Sequence, residues 1–208
     1  MPSRTFHAFS ALAGLAVSGR FGREGDEAGV AIEERTGLGL ATVAARKGEA
    51  EALKRAVASA YGVELPDRSR AVHGPAMSFI GYGPGQWLAV SEAFAGAALA
   101  RELGERLRGL ASISDQSGGR TVLRVSGPYA HAVLAKGLPI DLHQRAFETG
   151  SAATSTISLM GVQIWQVDDT PTYELAIFRS VSASFWRWLT ASAGEFGYTV
   201  AKGGSRPQ

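Results

Sequence analysis

The sequence predicts an α+β fold made of two βαββα-like halves, with mixed or antiparallel sheets and with the helices outside them. Short segments rich in β-branched and aromatic residues are separated by turns that contain Gly or Pro, as is typical of strands. Longer segments carry apolar residues at spacings of three and four, as is typical of amphipathic helices. The same order of elements occurs twice. We therefore expect one compact domain over residues 37–201, with halves 37–110 and 111–201 related by a rough pseudo-twofold axis.

Length and composition restrict the class of protein. The chain has 208 residues, of which 45% are hydrophobic, and this is enough to bury a substantial core. Its 21 basic and 19 acidic residues are intermixed and leave a net charge of +2, so we expect no nucleic-acid groove and no membrane-binding patch. The absence of cysteine excludes disulfides and thiolate chemistry and is typical of a reducing cytoplasm, the location that we expect. No apolar run approaches the roughly 18 residues that a membrane helix needs.

The two ends of the chain lack a clean periodicity. In residues 1–36, glycines interleave with charged residues, so we expect an irregular lead-in to the domain. Its apolar beginning is short and interrupted, which argues against a signal peptide. Residues 202–208 are expected to form a flexible tail.

The first half is predicted from three apolar segments and two helical stripes. Its elements are, in order, a strand at 39–44, a helix at about 48–61, hairpin strands at 77–80 and 86–90, and a helix at about 93–109. Leu53 and Val57 lie on one face of the first helix, and Leu99 and Leu103 on one face of the second. The glycines at 81–85 lead into a strand and not into a helix. They therefore predict a wide hairpin loop in preference to a dinucleotide-binding turn.

The second half repeats this order. Its predicted elements are a strand at 120–125, a helix after Pro128, strands at 154–160, 162–167 and 172–178, a helix at about 181–193 and a closing strand at 198–201. Pro128 suits the first turn of the helix, and Gly137 can end that helix in a left-handed conformation.

No set of residues converges on an active site. The histidines lack the spacing of metal ligands on one element, and they are His7, His73, His131 and His143. For His143 we prefer a hydrogen bond that fixes its loop to a catalytic role. Asp168 and Asp169 are adjacent and point apart, so they form no shared acid–base site. Asp115 either bonds backbone amides in a tight loop, which we prefer, or lines a pocket with Arg120 as its charge partner. We predict no catalytic, cofactor-binding or metal-binding residue in this chain.

Large aromatic residues suggest a surface for another protein. The inward stripe predicted for the last helix consists of Val181, Phe185, Trp188 and Leu189. Trp186, beside that stripe, is either covered by this chain or anchors a partner together with the exposed Arg187, because Trp and Arg are common at such positions. Trp165 follows Ile164 in a strand, so that both faces of the sheet need cover and a partner could supply one. The candidate interface residues are Trp165, Trp186 and Arg187.

An ordered series of short motifs resembles the gamma subunit family of heterotetrameric sarcosine oxidase. The motifs are Ser114-Asp115-Gln116-Ser117-Gly118-Gly119-Arg120-Thr121, Ser126-Gly127-Pro128, Leu134-Ala135-Lys136-Gly137, Asp141-Leu142-His143, Trp165-Gln166, Pro171-Thr172-Tyr173-Glu174-Leu175, Arg179-Ser180 and Ser184-Phe185-Trp186-Arg187-Trp188-Leu189. In the first half, Gly83-Pro84-Gly85-Gln86-Trp87-Leu88 is the best local match. The resemblance implies a fold similar to the folate-binding domain of glycine-cleavage aminomethyltransferases.

The resemblance also implies a complex with alpha, beta and delta subunits. Such a complex oxidatively demethylates sarcosine to glycine, reduces oxygen to hydrogen peroxide and yields methylene-tetrahydrofolate or formaldehyde. FAD, FMN, NAD and tetrahydrofolate then belong to the two larger subunits and zinc to the smallest, so no cofactor residue is assigned to this chain. We expect a non-catalytic structural or assembly subunit. The alternatives are a stand-alone tetrahydrofolate-binding, aminomethyltransferase-like protein and a homo-oligomeric binding module.

Overall fold

The strands and helices form two sheets that are each covered by two helices. The structure is a computed structural model that describes residues 10–25 and 27–201, so the predicted tail at 202–208 lies outside the described residues. In chain order the elements are β1 (Gly19–Phe21), β2 (Val30–Glu34), β3 (Gly39–Ala45), α1 (Ala50–Tyr61), β4 (Ala71–His73), β5 (Ser78–Gly83), β6 (Gln86–Ser91), α2 (Ala97–Arg106), β7 (Ala111–Asp115), β8 (Arg120–Ser126), α3 (Ala130–Ala135), β9 (Ala152–Ile157), β10 (Met160–Asp168), β11 (Thr172–Phe178), α4 (Ser182–Ala193) and β12 (Tyr198–Ala201).

The strands form one mixed and one antiparallel sheet. The seven-stranded sheet has the order β1-β12-β2-β8-β11-β10-β9, in which β12 and β2 are parallel. The five-stranded sheet has the order β4-β5-β6-β3-β7, and its pairs are antiparallel. The predicted α+β class with mixed and antiparallel sheets is confirmed.

Three apolar clusters define the layers. Helices α3 and α4 cover the outer face of the seven-stranded sheet, where Val133, Phe185 and the strand residue Leu175 belong to one apolar cluster. Helices α1 and α2 cover the outer face of the five-stranded sheet, through residues that include Leu53 and Leu99. The inner faces of the two sheets meet in a smaller cluster, whose members include Leu40, Leu88, Val122, Trp165 and Ala176. The helices therefore lie outside a sandwich of two sheets.

The two halves have the same strand order. In the first half the order across the sheet is β4-β5-β6-β3, and in the second it is β9-β10-β11-β8. Each sheet gains one strand from the segment that precedes the other half in the chain. β2 comes directly before β3 but pairs with β8, and β7 comes directly before β8 but pairs with β3. Because of this exchange, the halves cannot separate without breaking backbone hydrogen bonds in both sheets.

The predicted irregular lead-in at 1–36 was wrong for part of its length, while residues 1–9 and 26 lie outside the described residues. β1 and β2 lie in this segment, and β2 is an interior strand of the seven-stranded sheet, where Val30 and Ile32 are each 1% exposed. Neither strand is long enough to give a periodic signal, and β2 is held by partners that lie far away in the sequence. Tertiary pairing therefore overrides weak local propensity.

Candidate functional site

A polar cleft of about 330 Å³ opens where the two sheets meet. Glu174 is among its lining residues, with a side chain that is 9% exposed, and it accepts hydrogen bonds from two arginines. Arg124 contributes Nε at 3.1 Å and Nη2 at 2.6 Å from Oε1 of Glu174. Arg35 contacts the same carboxylate through Nη1 and reaches Glu92 through Nη2. These four side chains are called the ionic clamp below.

The fold explains how the ionic clamp forms. Arg124 on β8 and Glu174 on β11 are direct cross-strand neighbours, so their side chains share the inner face of the seven-stranded sheet. Arg35 follows β2 immediately, and its backbone N–H donates to the carbonyl of Val122 at 2.9 Å. Glu92 follows β6 of the other sheet. The ionic clamp therefore connects the two sheets through Arg35.

The chemistry of this cleft is limited by the pairing within it. Both carboxylates already accept a hydrogen bond from a guanidinium, and the two positive charges balance the two negative ones. Carboxylates that pair with arginines from neighbouring elements hold those elements together. The sequence contains one sign of this clamp. Glu174 is the single charged residue in the otherwise apolar strand Thr172–Phe178, and a charged residue in a buried strand needs a partner.

A second cleft, of about 240 Å³, lies on the outer side of the seven-stranded sheet and includes His131, His143, Gln166 and Tyr173 in its lining. Nδ1 of His143 accepts a hydrogen bond from the backbone N–H of Arg145 at 3.2 Å. The backbone N–H of His143 donates to Asp141 Oδ1 at 2.8 Å. These bonds agree with the loop-fixing role predicted for His143. Burial raises the pKa of Tyr173.

The predicted aspartates act on nearby loops. Asp115 Oδ1 accepts the backbone N–H of Ser117 at 2.9 Å, which is the local role we preferred. Asp168 accepts the hydroxyl of Thr170 at 2.8 Å, whereas Asp169 accepts the hydroxyl of Thr149 at 2.6 Å. The two neighbouring carboxylates therefore bond different partners. Among residues 10–25 and 27–201, no group of His, Asp and Glu side chains could hold a metal ion.

The three predicted interface residues have different surroundings. Trp165 is 1% exposed and lies between the sheets. The sheet face that carries Trp165, for which a partner was one possible cover, is therefore covered by the second sheet of the same chain. Trp186 is 7% exposed, and Arg187 is exposed. The buried face of α4 differs from the predicted stripe and consists of Ser182, Phe185, Trp186, Leu189 and Ala193. A small rotation of the helix about its axis accounts for this, because these positions follow the same helical spacing.

One family model and two relatives of this chain carry the same subunit name. The model of the "Sarcosine oxidase, gamma subunit family" matches residues 46–195. Sarcosine oxidase subunit gamma of Arthrobacter sp is 37% identical over 123 residues, which are 58% of this chain and 60% of that relative, less than two thirds of its length. The same subunit of Corynebacterium sp. (strain P-1) is 35% identical over 146 residues, which are 68% of this chain and 70% of the relative.

Two solved structures have a similar fold. One is a chain of heterotetrameric sarcosine oxidase from Corynebacterium sp. U-96 in complex with pyrrole 2-carboxylate. Its TM-score is 0.76 at 24% identity, and the match covers 96% of this chain and 98% of that chain. Glycine cleavage system aminomethyltransferase T from Bartonella henselae has a TM-score of 0.57 at 16% identity, over 81% of this chain and 49% of its own. The predicted likeness to aminomethyltransferases is confirmed at the level of the fold.

Proposed function

Because this chain belongs to the sarcosine oxidase gamma subunit family, we propose that it is the gamma subunit of a sarcosine oxidase and acts there as a non-catalytic structural or assembly subunit. The observation that carries this proposal is the family match over residues 46–195, which includes most of both halves of the fold. The activity of the whole complex is the oxidative demethylation of sarcosine to glycine.

The arrangement of charged side chains supports a structural role. In the larger cleft, the ionic clamp connects the two sheets, and each of its carboxylates is already bonded to arginine. In the smaller cleft, the hydrogen bonds of His143 hold its own loop. The bonds given for both sets of groups hold parts of the fold together, and this is the support that the site geometry lends to a structural role.

The cofactors and partners of the proposal follow from the family. The partners are the alpha, beta and delta subunits, and the bound FAD, FMN, NAD, tetrahydrofolate and zinc belong to those subunits. The site of action is the cytoplasm. Within the described residues no helix is long and apolar enough to cross a membrane. Of the predicted interface residues, the exposed Arg187 stays a candidate for contact with a partner.

Co-expression tests the proposal directly. The alpha, beta and delta subunits are produced with and without this chain, and the products are compared by size-exclusion chromatography and by sarcosine-dependent hydrogen peroxide production per flavin. We expect a smaller yield of assembled complex without the chain. The proposal fails if the three other subunits form a stable and fully active oxidase on their own.

Titration with tetrahydrofolate separates this role from that of a stand-alone folate-binding protein. The isolated chain is titrated in a calorimeter, with the assembled complex as the positive control. We expect saturable binding by the complex and no stoichiometric binding by the isolated chain. Tight binding to the isolated chain would favour the alternative.

A further inference from the structure

The hairpin between β9 and β10 ends in a two-residue turn with an unusual sequence. Ser158 has a φ of 47° and Leu159 a φ of 68°, and both lie between the paired residues Ile157 and Met160. Turns with two positive φ values favour Asn followed by Gly, because other side chains are strained in this conformation. Leu159 gains no compensating burial, since it is 97% exposed. The turn therefore exposes a large apolar side chain at a conformational cost.

Two further residues extend the exposed surface beside this turn. Phe178, at the end of β11, is 48% exposed. Its ring lies over the backbone of β10, because a Cβ atom on Gly161 would be 3.7 Å from Cε2 of Phe178. The guanidinium of Arg120 stacks on this ring, with Cζ 4.7 Å from the ring centroid. Leu159, Phe178 and Arg120 are called the hairpin patch.

Within the part of the chain that the structure describes, no carboxylate pairs with the guanidinium of Arg120. Its Nε is buried and has no hydrogen-bond acceptor among residues 10–25 and 27–201. None of the ion pairs within that part of the chain includes Arg120. Burial lowers its pKa, and the nearby Tyr82 opposes this change. A desolvated charge without a counter-charge is costly, and a carboxylate from outside the chain would relieve that cost.

We propose that the hairpin patch is a docking surface for another subunit of the oxidase, which covers Leu159 and Phe178 with apolar side chains and pairs a carboxylate with Arg120. This inference rests on the proposed function, because it requires a complex. A single exposed apolar residue is ordinary on a protein surface. Here a strained turn ends two residues before Gly161, the ring of Phe178 packs on Gly161, and that ring stacks on an arginine whose Nε has no acceptor among the described residues. Aromatic residues and arginine are also common among the residues that dominate binding energy at interfaces.

A competition experiment in the assembled complex tests the inference. Differently tagged wild-type and variant chains are co-expressed with the alpha, beta and delta subunits, and their ratio in the purified complex is measured. The main variant is Ser158→Asn/Leu159→Gly, which gives the turn its preferred sequence and removes the apolar side chain. The second is Arg120→Met, which keeps an unbranched apolar stem and removes the charge. We expect each variant to be incorporated about tenfold less than the wild type.

Matched controls and salt identify the cause of any loss. Val17→Asn alters an exposed apolar residue elsewhere, and Arg101→Met removes an exposed charge from α2, so both should be incorporated normally. Raising the ionic strength should weaken wild-type assembly more than that of Arg120→Met, because screening affects the pair with the carboxylate. Equal incorporation of Ser158→Asn/Leu159→Gly and wild type overturns the inference while leaving the proposed function intact. If even the wild-type chain stays out of the complex, the proposed function itself fails.

Discussion

Strand β8 carries two arginines on the inner face of the seven-stranded sheet, and their surroundings are opposite. Arg124 pairs across the ladder with Glu174, and Arg120, four residues earlier, pairs with Phe178. Arg124 bonds a carboxylate whose side chain is 9% exposed and which also binds Arg35. Arg120 stacks on a half-exposed ring, and its buried Nε has no acceptor within the described residues.

This difference separates two uses of buried charge. A charge that is paired inside the chain stabilises the monomer against loss of its partner, because removing one member leaves the other desolvated. A buried charge without a partner in its own chain lowers the stability of the monomer, and a counter-charge on a binding partner offsets that desolvation cost. The ionic clamp therefore belongs to the fold, whereas the hairpin patch is understandable as part of a surface that another chain covers.

Removing the shared carboxylate should have the largest effect. We expect Glu174→Leu to lower the free energy of unfolding by about 3–5 kcal/mol, because it leaves Arg35 and Arg124 without their buried counter-charge. The control is Glu92→Gln, which removes the other carboxylate bonded to Arg35. Its side chain is 62% exposed, so a loss below about 1 kcal/mol is expected. Urea denaturation of the two variants measures both values. Equal losses would show that the contribution of each carboxylate to stability does not depend on its burial.

The same substitution at the two arginines should give different results. Arg124→Met removes one of the two arginines that bond Glu174 and leaves Arg35 in place, so we expect a loss of about 1–2 kcal/mol in the free energy of unfolding. Arg120→Met removes a desolvated charge and keeps an apolar stem against Phe178, so the free energy should stay within about 1 kcal/mol of the wild type or rise. Chemical denaturation of the isolated variants provides the comparison. A large loss for Arg120→Met would mean that its guanidinium is satisfied in the monomer.

Much of the fold could be predicted because its elements have local signals. The strand at Thr172–Phe178 and the helices α1 and α4 have the periodicity or the residue types that their structures require. Strands β4 and β7 were not predicted, because they are short and depend on pairing with β5 and β3. The strand predicted at 154–160 ends at Ile157, and the turn that follows lies at Ser158–Leu159, where no Gly or Asn marks it.

The candidate sites were harder to predict than the fold. The ionic clamp joins positions 35, 92, 124 and 174, and only the folded topology brings them together. The apolar character of Trp165 was recognised correctly, but its surroundings were not, because the sequence does not reveal that the second sheet packs against its face. Whether the same chain covers a given face of a strand depends on how the two halves pack against each other.

Relieving the strained turn should raise stability by a smaller amount. We expect Ser158→Asn/Leu159→Gly to increase the free energy of unfolding of the isolated chain by about 1 kcal/mol, because the new residues suit positive φ. Differential scanning calorimetry would detect this as a higher Tm. The hairpin formed by Gly83 and Gln86 has a turn that already contains a glycine at positive φ, Gly85. A Gly85→Ala variant should therefore lower Tm, and an increase there would contradict this account of the backbone.

The smallest effect concerns Tyr82, which reports the charge of Arg120 directly. Burial raises the pKa of Tyr82, and the positive charge of Arg120 partly opposes that increase. Arg120→Met should therefore raise the pKa of Tyr82 further, whereas Arg124→Met should leave it unchanged. An ultraviolet titration of each variant, with its Tyr82→Phe counterpart subtracted, isolates this phenol.

Because the unfolded chain loses the proton first, near pH 10, the folded state loses stability as the pH rises above that value, and Arg120→Met should enlarge the loss. Equal titrations in the two methionine variants would show that Arg120 does not act on Tyr82, and the contrast between the two ends of the ladder would then rest on geometry alone.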